Sequence, residues 1–262
     1  MMFFTTRPLW LSAVLLVGLM TLVAMAGPVL VRRRVSLDRL RINNEVAGFK
    51  FAVVGVIYAV LLAFAVIVVW ERFDNAESAV AQEAGAAATL YRLADGLGAE
   101  PSTTLRSSLT GYLRAVITED WPAMERGGAS RAVTHALGGL YTAVLIDRPS
   151  DGRGTAVLTA ILQQIDLMTQ ARRARLVMAS GIVPGIVWLV LLGGAVVTIG
   201  FTLFFGTENL RAQALMTGAL SIMIFSSLLI IVAIDHPFAG SVKVQPEAFA
   251  AVLEDFSAAS RP

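Results

Sequence analysis

Few residue types in this chain could carry covalent or acid–base chemistry. There is no cysteine, and the two histidines are His135 and His236. Thiolate nucleophiles, disulfides, cysteine-held clusters and three-histidine metal sites are therefore excluded within one chain. Glu119 and Asp120 are adjacent, so on a helix they diverge by about 100° and do not converge on one substrate. They read as the end of a helix ahead of Trp121-Pro122. Asp147 and Asp151 flank Pro149 and read as turn residues, and His135 reads as a surface or interface side chain. No glycine-rich loop after a strand, G-x-S-x-G elbow or H-E-x-x-H helix occurs. These residues predict no enzyme, no cofactor and no metal.

The pattern with the most content is a seam. Asn44, Gly48, Phe51, Gly55, Tyr58, Leu62, Ala65 and Val69 recur at alternating intervals of four and three, a 3.5-residue period that lines up one face of a helix. Small residues alternate with aromatics along it, and Tyr58 carries its only polar group at membrane depth. Two readings follow. Several copies of this face could surround an axis, with Phe51, Tyr58 and Leu62 forming an apolar neck that gates by dewetting. Alternatively, the glycines simply allow close helix packing. Lys50 lies about 120° off the seam and reads as snorkelling to headgroups or pairing with Glu45.

The elements that position this seam follow from composition. The 262 residues are 56% hydrophobic and 15% charged, with a mean hydropathy of +0.71. Soluble domains are less apolar and more charged, so the excess faces lipid. A net charge of +2 gives no reason to expect a nucleic-acid partner. Four uncharged blocks, Leu9–Val31, Phe51–Trp70, Ile182–Phe205 and Leu215–Ile234, each reach the roughly 20 residues a bilayer requires. Ala24-Met25-Ala26 before Gly27 resembles a signal cleavage site after Arg7, but the apolar run continues past it, which predicts an uncleaved span.

The segment 71–176 reads as helical. Phe73, Ala76, Val80, Ala87, Leu90, Ala94 and Leu97 extend the second span's helix until Gly96, Gly98 and Pro101 stop it. Leu105, Leu109, Tyr112, Leu113 and Val116 form a second stripe, ended by Trp121-Pro122. Ser130 is placed to cap a third helix bearing Val133, Leu137, Leu140, Tyr141 and Val144. A fourth carries Val157, Ile161, Ile165 and Met168 and is expected to run unbroken into the third span. The predicted fold is all-α: spans one and two in 1–70, a helical extramembrane domain in 71–176, spans three and four in 177–234, and a tail in 235–262.

Five stretches together resemble the bacterial bestrophin-like domain proteins. They are Asn43-Asn44-Glu45-Val46-Ala47-Gly48, Tyr58-Ala59-Val60-Leu61-Leu62-Ala63-Phe64, Glu119-Asp120-Trp121-Pro122, Arg172-Arg173-Ala174-Arg175 and His236-Pro237-Phe238-Ala239-Gly240. More distantly the chain is similar to bestrophins, pentameric anion channels with four spans and a helical cytosolic domain. In those proteins an Asn-Pro-Phe-Gly stretch leads into an acidic calcium-binding run. Here Pro237 and Phe238 match, His236 replaces the asparagine, Gly240 sits one place late, and Ser241-Val242-Lys243-Val244 replaces the acidic run, so calcium gating is not implied. The resemblance implies a homo-oligomer, a pentamer in bestrophins, in the bacterial inner membrane, with inorganic ions as cargo and a cytoplasmic domain.

Pro237 is expected to end the fourth span's helix, with Gly240 allowing a bend and Phe238 docking on the extramembrane bundle. His236 could add proton sensitivity. Arg172, Arg173 and Arg175 read as contacts to anionic lipid, or as subunit contacts to Glu71, Asp74 and Glu77. Pro184 and Gly193-Gly194 permit a kink or close packing in the third span. Positive charge gives no orientation, with seven basic residues near the membrane on one side and six on the other. An ion channel is the leading function. The alternatives are a membrane-anchored scaffold or sensor, and third a secondary transporter, although neither inverted repeats nor polar broken helices are evident.

Overall fold

A computed structural model describes residues 9–42, 44–145, 152–181 and 183–259. Arg7, Asn43, Asp147, Pro149, Asp151 and Ile182, used above, lie outside the described residues. The longer helices follow in this order: α1 (Leu9–Arg34), α2 (Leu37–Arg41), α3 (Asn44–Leu93), α4 (Ala99–Ala115), α5 (Arg131–Leu145), α6 (Gly152–Met178), α7 (Gly185–Phe201), α8 (Leu210–Ile234) and α9 (Glu247–Ala259). Strands are absent among the described residues. α1, α3, α7 and α8 are long and apolar enough to cross a membrane. Contacts divide the chain into two units: residues 1–71, 182–235 and 240–242, and residues 72–181, 236–239 and 243–262.

In the membrane unit, α1 packs along α8. Gly218 brings the two backbones together, since a Cβ there would lie 2.8 Å from Met25 Sδ. Ala24 and Pro28, in the region that resembles a cleavage site, are buried inside this unit's helix α1. α1 contains a π-helical stretch over Val14–Leu19.

α3 is one helix of 50 residues, about 75 Å at 1.5 Å per residue. The expected stop at Gly96 and Gly98 is where it ends, in a 3-10 turn over Ala94–Gly96. The expected second unbroken helix does not form. α6 ends at Met178 and α7 begins only at Gly185, with Pro184 as its N-cap (φ −58°, ψ 147°). Proline lacks the N–H that would continue the ladder and disfavours helix at the residue before it. Pro184 therefore starts the third span rather than kinking it.

The second unit is a bundle. Ala76, Val80, Ala87 and Leu90 of α3 meet Leu105, Leu109, Tyr112 and Leu113 of α4, with Leu140 of α5, Ile161 and Ile165 of α6, and Phe249 and Phe256 of α9 in the same core. Trp121-Pro122 does not end α4 as expected. The helix widens to π geometry over Val116–Asp120 and takes Pro122 into a last turn, Trp121–Met124. A wider turn relieves the clash between a proline ring and the carbonyl before it, and the chain reverses only at Gly127, with φ +71°. Ser130 Oγ accepts the Ala132 N–H at the start of α5 (3.2 Å). In the segment after α8, α9 buries Phe249, Val252 and Phe256. That i, i+3, i+7 spacing is a helical stripe legible in the sequence.

Candidate functional site

The seam is a real face of α3, and it is turned inward. Tyr58, Leu62 and Val69 are buried, while Asn44, Gly48, Phe51, Gly55 and Ala65 are half-buried. The Tyr58 hydroxyl donates to the Leu191 carbonyl at 2.9 Å, and its ring lies where a Cβ on Gly194 would stand. Phe51 meets Phe205 edge to face, ring centres 5.7 Å apart. Asn44 donates to the Gly206 carbonyl (2.9 Å) and accepts its N–H (3.0 Å). Tyr58, Leu62 and Val69 are thus enclosed by their own chain. A phenol at membrane depth needs a partner, and one carbonyl of α7 supplies it. Of the two glycines, Gly48 is the one with a partner close by: a Cβ there would lie 3.9 Å from Phe205.

The opposite face of α3 carries apolar side chains into the open. Phe49 is 76% exposed, Val53 48%, Val56 64% and Val60 48%. By helical-wheel arithmetic these lie within about 40° of the direction opposite Tyr58. Of the most apolar stretch of α3, 17% is buried inside the chain, against 44% for α8.

After α8 the chain turns at once. Gly240 takes φ +91°, a conformation that favours glycine. The Pro237 carbonyl accepts the Val244 N–H at 2.8 Å. Phe238 is fully buried, edge-on to Trp121 at 5.8 Å, and Trp121 also meets Phe249 at 5.6 Å. The Trp121 indole N–H donates to the Val244 carbonyl at 3.2 Å. The His236 ring packs on Gly181, where a Cβ would lie 2.6 Å from Nε2.

Arg172 and Arg175, read in the sequence as lipid or subunit contacts, are buried within their own helical unit. Three residues apart, they share a face of α6 that points into the bundle, while Arg173 stays exposed. Arg172 Nε and Nη2 donate to Asp120 Oδ2 and Oδ1 at 2.9 and 3.2 Å. Arg175 donates to Glu83 Oε2 and Oε1 at 2.9 and 3.1 Å and to Asp120 Oδ2 at 3.3 Å. The Tyr112 hydroxyl donates to Glu83 Oε1 at 2.6 Å, and Asp120 Oδ1 accepts the Ser130 N–H at 2.9 Å. Asp120 thus joins α4, α5 and α6 instead of ending a helix. Two carboxylates balance two guanidiniums, with the Arg175 guanidinium 5.0 Å from the Trp121 ring centre. Glu83 was missed, yet it sits three residues after Val80 and four before Ala87 on the core face.

Burial depresses the Arg175 guanidinium's proton affinity, but the Glu83 charge and hydrogen bond more than offset this, so its pKa is raised. Burial first, then the charge and hydrogen bond of Glu83, push the Tyr112 phenol well above its ordinary value. A raised phenol pKa contributes stability that is fully present below about pH 10 and is lost as pH rises through the folded value. Thermal unfolding should therefore show an alkaline loss of stability. Tyr112→Phe should cost about 1–3 kcal/mol at pH 7 and remove that alkaline step.

A family model described as Bestrophin-like domain matches residues 17–249. No curated protein matches. Among solved structures, a variant of a bacterial bestrophin homolog from Klebsiella pneumoniae aligns with TM-score 0.72 at 14% identity, covering 94% of this chain and 99% of that one. A second variant of the Klebsiella pneumoniae homolog gives 0.70 at 14% identity, with 92% and 98% covered. A variant of a structure described only as a membrane protein gives 0.70 at 15%, with 92% and 96% covered.

Proposed function

From the premise that this chain belongs to the bestrophin-like family, we propose that it is an oligomeric ion channel of the bacterial inner membrane, its pore lined by α3 and its helical domain on the cytoplasmic side. The observation that carries this reading is the outward row Phe49, Val53, Val56 and Val60, exposed along α3 while the seam behind it holds the helix to α7 and the Phe205 segment. Copies arranged about an axis turn such a row toward that axis, where its β-branched side chains form a neck. An apolar neck resists wetting and so gates ion entry. Inorganic ions are the cargo, and the partner subunits are further copies of the same chain.

A membrane-anchored scaffold is the competing reading, and one observation favours it. All four spans lack a charged residue at membrane depth, whereas intramembrane charges commonly mark ion paths. Water access separates the two readings, and the absence of native cysteine makes it simple to measure. Val56→Cys and Val60→Cys should react with a charged, water-soluble thiol reagent in the reconstituted oligomer. Met223→Cys, on an exposed position of α8, should be inert in lipid. Equal inertness of all three positions would place the α3 row against lipid and favour the scaffold.

A further inference from the structure

The membrane unit holds a groove that the permeation reading does not use. It encloses about 400 Å³ and is lined by Asn44, Phe51, Phe205, Gln213, Met216 and Leu220, among others. Its wall is almost wholly apolar. The polar side chains that reach it are already engaged within the chain. Asn44 exchanges both its hydrogen bonds with Gly206, and Gln213 donates to the Phe205 carbonyl at 2.6 Å and accepts from Thr207 Oγ1 at 3.3 Å. Nothing inside waits for a polar ligand, so the occupant that fits is a hydrocarbon chain.

The segments that adjoin the groove are basic. Residues 32–50 and 206–214, which connect spans one to two and three to four, carry seven basic residues against three acidic ones. The Arg32 guanidinium donates to the carbonyl of Thr207, a residue of the groove wall, at 3.0 Å. Arg41 pairs with Glu208 beside it, while Arg33, Arg34 and Arg39 are exposed. An apolar slot bordered by guanidiniums at the end of membrane helices matches a molecule with an acyl chain and an anionic phosphate.

We propose that this groove binds an anionic phospholipid of the surrounding bilayer, with one acyl chain between Phe51, Phe205, Met216 and Leu220 and the headgroup phosphate at Arg32 and its neighbours. The test uses the full chain purified in non-ionic detergent, with phosphatidylglycerol, phosphatidylcholine or inorganic phosphate added. Bound lipid is counted by native mass spectrometry, and melting temperature and oligomer size are recorded alongside. Phosphatidylglycerol should be retained and raise the melting temperature, while phosphatidylcholine and inorganic phosphate should do neither. Arg32→Gln should weaken phosphatidylglycerol retention about fivefold, the loss expected for one basic residue at an anionic surface. Met216→Trp, or the milder Leu220→Phe if that variant is unstable, should fill the groove and abolish retention with oligomer size unchanged. Equal retention of both lipids, retention indifferent to the filled groove, or a shift produced by phosphate alone would overturn the proposal. A changed oligomer size in the filled variant would overturn it in favour of a second copy of the chain.

Discussion

Glu83→Ala is expected to destabilise the protein by about 3–5 kcal/mol, because it leaves the buried Arg175 guanidinium without its main counter-charge. Both side chains are fully enclosed, and two of the donors on Arg175 are aimed at Glu83. Asp120 takes one further bond from Arg175 but already serves Arg172 and Ser130. Removing both members of the pair has a different consequence. Glu83→Leu with Arg175→Leu leaves Asp120 and Arg172 as a matched acid and base, so no buried charge is stranded. The double variant should therefore be more stable than Glu83→Ala alone, although deleting either partner is severe. Unfolding of the full chain in detergent, followed by near-ultraviolet circular dichroism, measures both. A double variant whose loss equals the sum of the two single losses would show that the pair does not act as a unit.

Phe238→Ala is expected to cost a comparable amount, about 3–5 kcal/mol, by emptying a fully buried aromatic position. The loss extends beyond area, since Phe238 is one of two rings that meet Trp121 edge-on, and Trp121 also covers Arg175. Phe238→Leu keeps most of the volume and should cost less than about 1.5 kcal/mol. Unchanged melting of purified Phe238→Ala would contradict the packing role.

Length and periodicity made much of the architecture legible. Uncharged blocks longer than a bilayer core located four spans, and the spacing of Leu105, Leu109, Tyr112 and Leu113 located a buried helix face. The 3.5-residue seam of α3 was equally visible, but periodicity reports that one face differs and is silent on what it meets. Long-range contacts, such as the Tyr58 bond to Leu191, 133 residues away, turn that face toward its own chain. The same limit applies to the charges. Arg172 and Arg175 were seen as a cluster, yet their partners lie 52 and 92 residues earlier. A juxtamembrane arginine and a buried one look alike in sequence. Pro122 misled for a local reason, because a π-helical turn absorbs a proline that an α-helix rejects. α9 was overlooked although Phe249, Val252 and Phe256 share the spacing of the other core stripes.

Permeation along the outward row of α3 is tested most directly by ion flux. Purified chain is reconstituted into vesicles and compared under salt gradients as wild type, Val56→Lys and Val56→Glu, with oligomer size verified for each. If Val56 lines a pore, the wild type conducts, the lysine ring shifts selectivity toward anions and the glutamate ring shifts it toward cations. Silence of all three with the oligomer intact, or identical selectivity in the two charged variants, would contradict it.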